Sequence, residues 1–138
     1  MKKTMIALAM VAMSANVAAT PETNVDAKVL VQDVSTYMNM QVPLVLDSAT
    51  TLASTVAVDS TLIYNYHLDL MTDDMVMIQA ADLMDVFEKE IGAFVTAAYC
   101  TDPDLAIFQE SGATVYHKYF SMQDYSFIFS KKVSVKDC

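Results

Sequence analysis

Residues 50–70 read TTLASTVAVDSTLIYNYHLDL, and their hydrophobic pattern decides the fold. Residues 50–58 are rich in β-branched side chains, and residues 62–70 alternate apolar with polar positions. Asp59 and Ser60 separate the two runs with side chains that favour turns. Alternation of this kind is typical of a strand with one buried face. The stretch therefore predicts a β-hairpin.

Residues 73–100 change to a helical period. Their apolar side chains recur three and four residues apart, on one face: Met84, Phe87, Ile91, Phe94, Val95 and Ala98. The charged side chains Asp82, Asp85 and Lys89 lie largely away from that face. A long amphipathic helix over residues 73–100 is predicted.

Weaker patterns flank these two elements. From residue 24 onward, apolar positions at the same spacing predict a first helix, capped by Thr23 or Asn24 and ended before Pro43. Residues 44–46 suit an entry segment or an edge strand. Asp102 and Pro103 predict a cap and first turn of a short third helix, which Gly112 ends.

The last part of the chain returns to period two. Residues 115–122 and 125–135 predict a second hairpin around Gln123 and Asp124. Helices that interrupt paired strands favour an α+β fold. We therefore expect one antiparallel sheet of about four strands, with two to three helices packed on one face.

Residues 1–19 resemble a cleavable signal peptide. Lys2 and Lys3 precede a short apolar run, and residues 17–19, Val-Ala-Ala, form a small-residue exit. The apolar run is shorter than the roughly 20 residues of a membrane span. We expect residues 20–138 to form a single exported domain in the periplasm. In that oxidising compartment the two cysteines, Cys100 and Cys138, are expected to form a disulfide.

The composition is strongly acidic. The formal net charge is −9, and removing Lys2 and Lys3 with the signal peptide leaves about −11. Such a charge disfavours binding to nucleic acid or to anionic lipid and favours a basic partner. No segment after residue 19 is apolar for long enough to cross a bilayer, so no membrane contact is expected after cleavage.

Two side-chain groups could carry chemistry. His67 and Asp69 share a strand face, and with His117 on the second hairpin they could form a metal or acid–base site; the simpler interpretation puts all three on the solvent side of the sheet. Met71, Met75 and Met77 could bind Cu(I) near His67, or serve packing alone. Since no catalytic or phosphate-binding motif is present, we expect no enzymatic activity, metal or cofactor.

The densest charge feature is an acidic run that begins at Asp69 and ends at Glu90. A solvated helix face is one interpretation, and a docking surface for a basic protein is the other. For the docking surface we select acidic steering residues and a hairpin turn that could enter a partner's cleft. They are Asp73, Asp74, Glu88, Glu90, Gln123, Asp124 and Tyr125.

The layout resembles a small exported family. Its marks are the signal peptide, the acidic domain, the terminal cysteine, a Y-x-Y strand at residues 64–66, and a G-x-x-x-Y-x-x-Y run from Gly112 to Tyr119. This layout is similar to that of periplasmic immunity proteins, which neutralise lysozyme-like, peptidoglycan-cleaving effectors of type VI secretion. The resemblance implies a non-catalytic protein, often a homodimer, that occludes the active site of a basic toxin.

Two other classes stay open. A periplasmic pilotin or chaperone that holds an apolar partner segment in a Met-lined groove would explain the methionines. The absence of a lipid-accepting cysteine at the cleavage site counts against the usual pilotin. A small hydrolytic or metal-binding periplasmic protein is the third class.

Overall fold

The computed structural model describes residues 25–138. The predicted signal peptide and the two predicted caps, Thr23 and Asn24, lie outside the described residues. Helix α1, Ala27–Asn39, is capped by Asp26, whose carboxylate accepts a hydrogen bond from the Lys28 amide at 2.8 Å. Its apolar face is buried as the periodicity predicted.

Five strands form one sheet in the order β1-β2-β3-β4-β5. Their bounds are β1 Leu44–Val45, β2 Thr50–Val58, β3 Thr61–Leu68, β4 Thr114–Ser121 and β5 Phe127–Val133. β2 and β3 form the predicted hairpin, and its turn residue Asp59 has a left-handed φ of 52°. β4 and β5 form the second hairpin. The α+β fold is confirmed, with five strands in a mostly antiparallel sheet.

The central pair, β3 with β4, is parallel rather than antiparallel. The helices between them carry the chain back to the edge where β3 begins, and the Thr114 amide there donates to the Ser60 carbonyl at 3.0 Å. A crossover of this length permits parallel pairing, whereas a short turn does not. The expectation of a wholly antiparallel sheet was therefore wrong at this pair.

The predicted long helix is two helices, α2 Asp73–Ala80 and α3 Met84–Thr101. Asp82 between them adopts a left-handed φ of 57°. The Leu83 amide donates to the Ile78 carbonyl and the Asp82 amide to the Gln79 carbonyl, which together form a Schellman ending. Asp replaces the usual Gly at the left-handed position, so no glycine or proline marks the break in the sequence.

A 3₁₀ turn at Pro103–Leu105 and helix α4, Ala106–Ser111, form the predicted third helical segment. Gly112 ends α4 with a left-handed φ of 78°. A last 3₁₀ turn, Val135–Asp137, brings Cys138 to the end of α3, where it is bonded to Cys100. The predicted disulfide is therefore present. None of the helices in residues 25–138 is long and apolar enough to cross a membrane.

The core lies between the helices and one face of the sheet. Three aromatic rings from neighbouring strands stack across its centre, with Tyr66 on Tyr119 at 4.6 Å and Tyr119 on Phe129 at 4.5 Å between centroids. α1 packs Leu30, Val31 and Val34 against the sheet. α3 adds Ile91 and Val95 from its buried face. The domain is thus a two-layer structure whose sheet has its other face turned away from the helices.

Candidate functional site

Five of the seven predicted docking residues lie at one end of the sheet, and the other two lie on α3. Asp73 and Asp74 occupy the first turn of α2, and residues 123–125 form the β4–β5 turn. Both segments follow the carboxyl ends of the parallel strands β3 and β4, which meet at the same edge of the sheet. The Met122 amide donates to the Leu68 carbonyl at 2.8 Å across that edge. Glu88 and Glu90 lie on α3 and belong to neither segment.

A groove of about 620 Å³ separates α2 from the β4–β5 turn. We call it the α2 groove and define it by its lining residues, which are Leu70, Met71, Val76, Gln79, Ala80, Ser121, Gln123 and Asp124. Its apolar wall comes from α2 and the segment before it, and its polar wall comes from the turn. The groove is open to solvent and does not enclose its volume as a small-molecule pocket does.

Gln123 fastens the turn to the opposite wall. Its side-chain oxygen accepts from the Leu70 amide at 3.2 Å, and its nitrogen donates to the Asp69 carboxylate at 2.7 Å. The same carboxylate oxygen accepts from the Met71 amide at 3.0 Å. Because the Gln123 side chain is hydrogen-bonded to Asp69 and Leu70, it fixes the distance between the turn and the opposite wall of the groove.

Helix α2 is fixed at both of its ends. Thr72 caps its first turn and accepts from the Met75 amide at 3.4 Å. Gln79, near its last turn, donates to the Leu70 carbonyl at 2.9 Å. The carboxylates of Asp73 and Asp74 lie at the positive end of the helix dipole and favour this start.

The methionines near the groove separate into core and surface. Met75 is 2% exposed and anchors α2 to the core, whereas Met71 and Met77 are 70% and 69% exposed. The buried side chain of Met75 therefore does not share the surface position of Met71 and Met77. Within residues 25–138, no group of three His, Cys, Asp or Glu side chains could hold a metal ion.

His117 is buried in the core and is not on the solvent face, so the predicted placement of this residue was wrong. Every second residue of β4 is buried, and His117 is one of these residues. In the parallel register His117 lies opposite Tyr64. A hydrogen bond of 2.9 Å joins its Nδ1 to the Tyr66 hydroxyl. Burial lowers the pKa of His117 to about 3, so the ring is neutral at physiological pH.

His67 points to the opposite face of the sheet from His117, and the considered acid–base site of His67, Asp69 and His117 therefore does not form. The His67 ring instead contacts Tyr125, with 5.1 Å between centroids. Tyr125 itself is 67% exposed at the end of the β4–β5 turn. Asp69 is engaged with Gln123 in the wall of the groove.

Two carboxylates, those of Asp124 and Glu88, have shifted pKa values. Hydrogen bonds from the Ser126 hydroxyl and amide lower the pKa of Asp124, which keeps this rim residue charged. Partial burial, with a smaller effect from Asp85, raises the pKa of Glu88. Glu88 lines a second recess of about 420 Å³ between α3 and β5, together with Lys131.

Comparisons with known proteins identify the fold alone. No known protein-family profile and no curated protein matches the sequence. A candidate secreted protein from Pseudomonas aeruginosa is similar in structure, with a TM-score of 0.66 and 9% identity over 81% of this chain and 92% of that chain.

Two type II secretion pilotins have the same fold. The pilotin EpsS of Vibrio vulnificus gives a TM-score of 0.61 at 10% identity, over 81% of this chain and 91% of its own. The pilotin AspS of Vibrio cholerae gives 0.60 at 11% identity, over 81% and 92%. The first of these three structures is thus described as that of a secreted protein, and the other two as those of secretion-system pilotins.

Proposed function

We propose that this protein is an exported binding module that acts as a pilotin or chaperone and holds an apolar segment of a secretion-channel subunit in the α2 groove. The observation that carries the proposal is the exposed apolar wall of that groove, on a fold that two pilotins share. A role as a binding protein agrees with the expectation that the chain has no catalytic activity, which remains a prediction. The predicted export of the chain agrees with the description of the structural neighbours as secreted or secretion-system proteins.

The side chains of the groove suit an apolar segment. Val76 is 44% exposed and Met71 is 70% exposed, so both have apolar surface that a partner could cover. The thioether of Met71 adapts its shape to different apolar side chains. Covering such surface stabilises a complex by about 25 cal/mol for each Å² removed from water.

The rim of the groove suits basic residues beside that apolar segment. Asp124 lines the groove, and Asp73 and Asp74 lie in the first turn of the helix that forms its apolar wall. Rim charges of this kind speed association with a partner of opposite charge and contribute less to final affinity. The partner segment is therefore proposed to be apolar at its centre and basic at its flanks.

Placing a charge in the groove should strongly weaken binding of the partner. For Val76→Glu we expect at least about a tenfold loss of affinity, because a carboxylate would lose water against apolar side chains. The measurement is pull-down from periplasm with the mature domain, with mass spectrometry to name the captured protein. The matched control is Val29→Glu on α1, since Val29 has a similar exposure of 50% in another helix.

The outcomes separate the proposals. Capture of a secretion-channel subunit by the native domain and by Val29→Glu, but not by Val76→Glu, supports the pilotin-type role. Equal capture by both variants would remove the α2 groove from the interface. Capture of a secreted hydrolase in place of a channel subunit would overturn the pilotin-type role and favour the immunity hypothesis. Thermal melting of each variant establishes that it folds.

The immunity hypothesis has one observation in its favour, which is the acidic surface around α2. No structural neighbour supports toxin inhibition, and the homodimer that the resemblance implied stays a prediction. If a basic peptidoglycan hydrolase is the partner, Asp73→Lys with Asp74→Lys should slow association several-fold at low salt. Stopped-flow association rates from low salt to 0.5 M salt measure this effect. Thermal melting should fall modestly, because two lysines in the first turn oppose the dipole of α2. An unchanged rate at low salt would exclude these two residues from steering.

A further inference from the structure

The sheet has a second surface that the α2 groove does not use. On β4, Val115, His117 and Tyr119 are buried against the helices, so the alternate residues lie on the other face. The register places β5 residues beside them, with Lys132 opposite Tyr116 and Phe127 opposite Phe120. We call this surface the β4–β5 open face; it consists of Tyr116, Lys118, Phe120, Phe127, Ser130 and Lys132.

The helices pack on the opposite side of the sheet. Ser35 of α1 bonds Thr55 at 2.8 Å on the buried face of β2, and Phe87 of α3 meets Phe129 of β5 at 6.3 Å between centroids on that same side. None of the six side chains of the β4–β5 open face is fully buried, and Phe127 is 56% exposed. Residues 25–138 therefore leave this face accessible to a partner.

Two ammonium groups lie on this face among aromatic rings. Lys118 Nζ is 5.5 Å from the ring centroid of Tyr116 and 5.9 Å from that of Phe120. Lys132 Nζ is 5.0 Å from the Tyr116 centroid. Cation–π contacts at these distances position an ammonium group without neutralising its charge.

The charge of the face is opposite to that of the protein. The whole chain has 17 acidic residues against 8 basic ones, yet none of the six residues of the β4–β5 open face is acidic. The neighbouring β3 positions on this side, Ile63, Asn65 and His67, add no carboxylate. Acidic residues are concentrated elsewhere, above all near α2. Separation of charge in this way creates a local positive potential on an acidic molecule.

We propose that the β4–β5 open face binds an acidic segment of a protein partner. The carboxylates of the segment pair with Lys118 and Lys132, and an apolar side chain of the segment covers the exposed ring of Phe127. This surface is separate from the α2 groove, and the proposal stands whether or not the groove binds an apolar segment.

Two other ligand types fit the face less well. A sugar ring would stack on an aromatic face, but lysine ammonium groups already lie over Tyr116 and Phe120. An anionic membrane is wider than the face, so carboxylates around the face that come within a Debye length of the membrane surface oppose binding. A short acidic segment meets only the two lysines and avoids that repulsion.

The test uses poly-L-glutamate as the acidic probe and the full mature chain as the receptor. We expect Lys118→Gln with Lys132→Gln to weaken binding about tenfold at low salt, since both charge contacts are lost. The matched control is Lys28→Gln with Lys136→Gln, which removes the same charge at two exposed positions off the face. The control pair is expected to change affinity less than twofold. Calorimetry or fluorescence anisotropy measures both.

An equal loss in the two double variants would overturn the proposal, because binding would then follow net charge and not this surface. Binding to phosphatidylglycerol vesicles that depends on the same two lysines, with no binding to poly-L-glutamate, would overturn it in favour of a lipid surface. Val76→Glu should bind poly-L-glutamate as the native chain does. Failure of the groove and failure of the open face are therefore distinguishable.

Discussion

Removal of the Cys100–Cys138 disulfide is expected to lower the free energy of unfolding by about 4 kcal/mol. The bond joins residues 38 positions apart in sequence, and it removes the corresponding chain entropy from the unfolded state. In the folded state it ties the end of α3 to the segment that follows β5. A loss of this size is a large part of the roughly 5–15 kcal/mol that stabilises a domain.

Urea unfolding at neutral pH measures this loss. The comparison is the oxidised chain against Cys100→Ser with Cys138→Ser, each with and without dithiothreitol. The reductant should lower the unfolding midpoint of the native chain and leave that of the double variant unchanged. A difference below about 1 kcal/mol between the native chain and the double variant, both without dithiothreitol, would contradict the chain-entropy estimate for this loop.

Acid is expected to destabilise the fold through His117, by about 2 kcal/mol between pH 7 and pH 5. Burial lowers its folded-state pKa from 6.5 to about 3. Below pH 6.5 the unfolded chain therefore binds a proton that the folded chain does not. The contribution of His117 is fully present above pH 6.5 and is lost as the pH falls toward 3.

Chemical denaturation at a series of pH values tests this expectation. His117→Gln keeps a polar group near the Tyr66 hydroxyl and removes the titrating ring, so most of the stability change between pH 7 and pH 5 should disappear. The matched control is His67→Gln on the other face of the sheet, which should keep the native slope. A slope unchanged in His117→Gln would assign the acid sensitivity to other groups.

Local pattern was sufficient for most of the secondary structure. The β-branched and alternating residues of 50–70 give a strand on each side of Asp59 because alternation matches the pleat of a sheet. The spacing of Ile91 and Val95 gives the buried face of α3 for the corresponding helical reason. The break at Asp82 was missed because a left-handed aspartate ended α2 without a glycine or proline.

The alternating pattern of β4 did not show which of its two faces is buried. Residues 114–121 place Tyr116 and Lys118 on one side and His117 and Tyr119 on the other, and aromatic residues occur on both. Polarity favoured solvent for the histidine, but its hydrogen bond to Tyr66 allows burial. The tertiary environment therefore decided which side faces the core.

By itself, the sequence determined the α+β class, the two hairpins, the helical face of α3 and the pairing of Cys100 with Cys138, because each depends on local periodicity or on the two cysteines alone. Tertiary structure decided the α2 groove and the β4–β5 open face. The α2 groove depends on the parallel pairing of β3 with β4, which brings residues 69–80 beside residues 121–125. The β4–β5 open face depends on which side of β4 the helices cover. Strand direction across a long crossover arises from the packing of the intervening helices, and local sequence pattern does not record that packing.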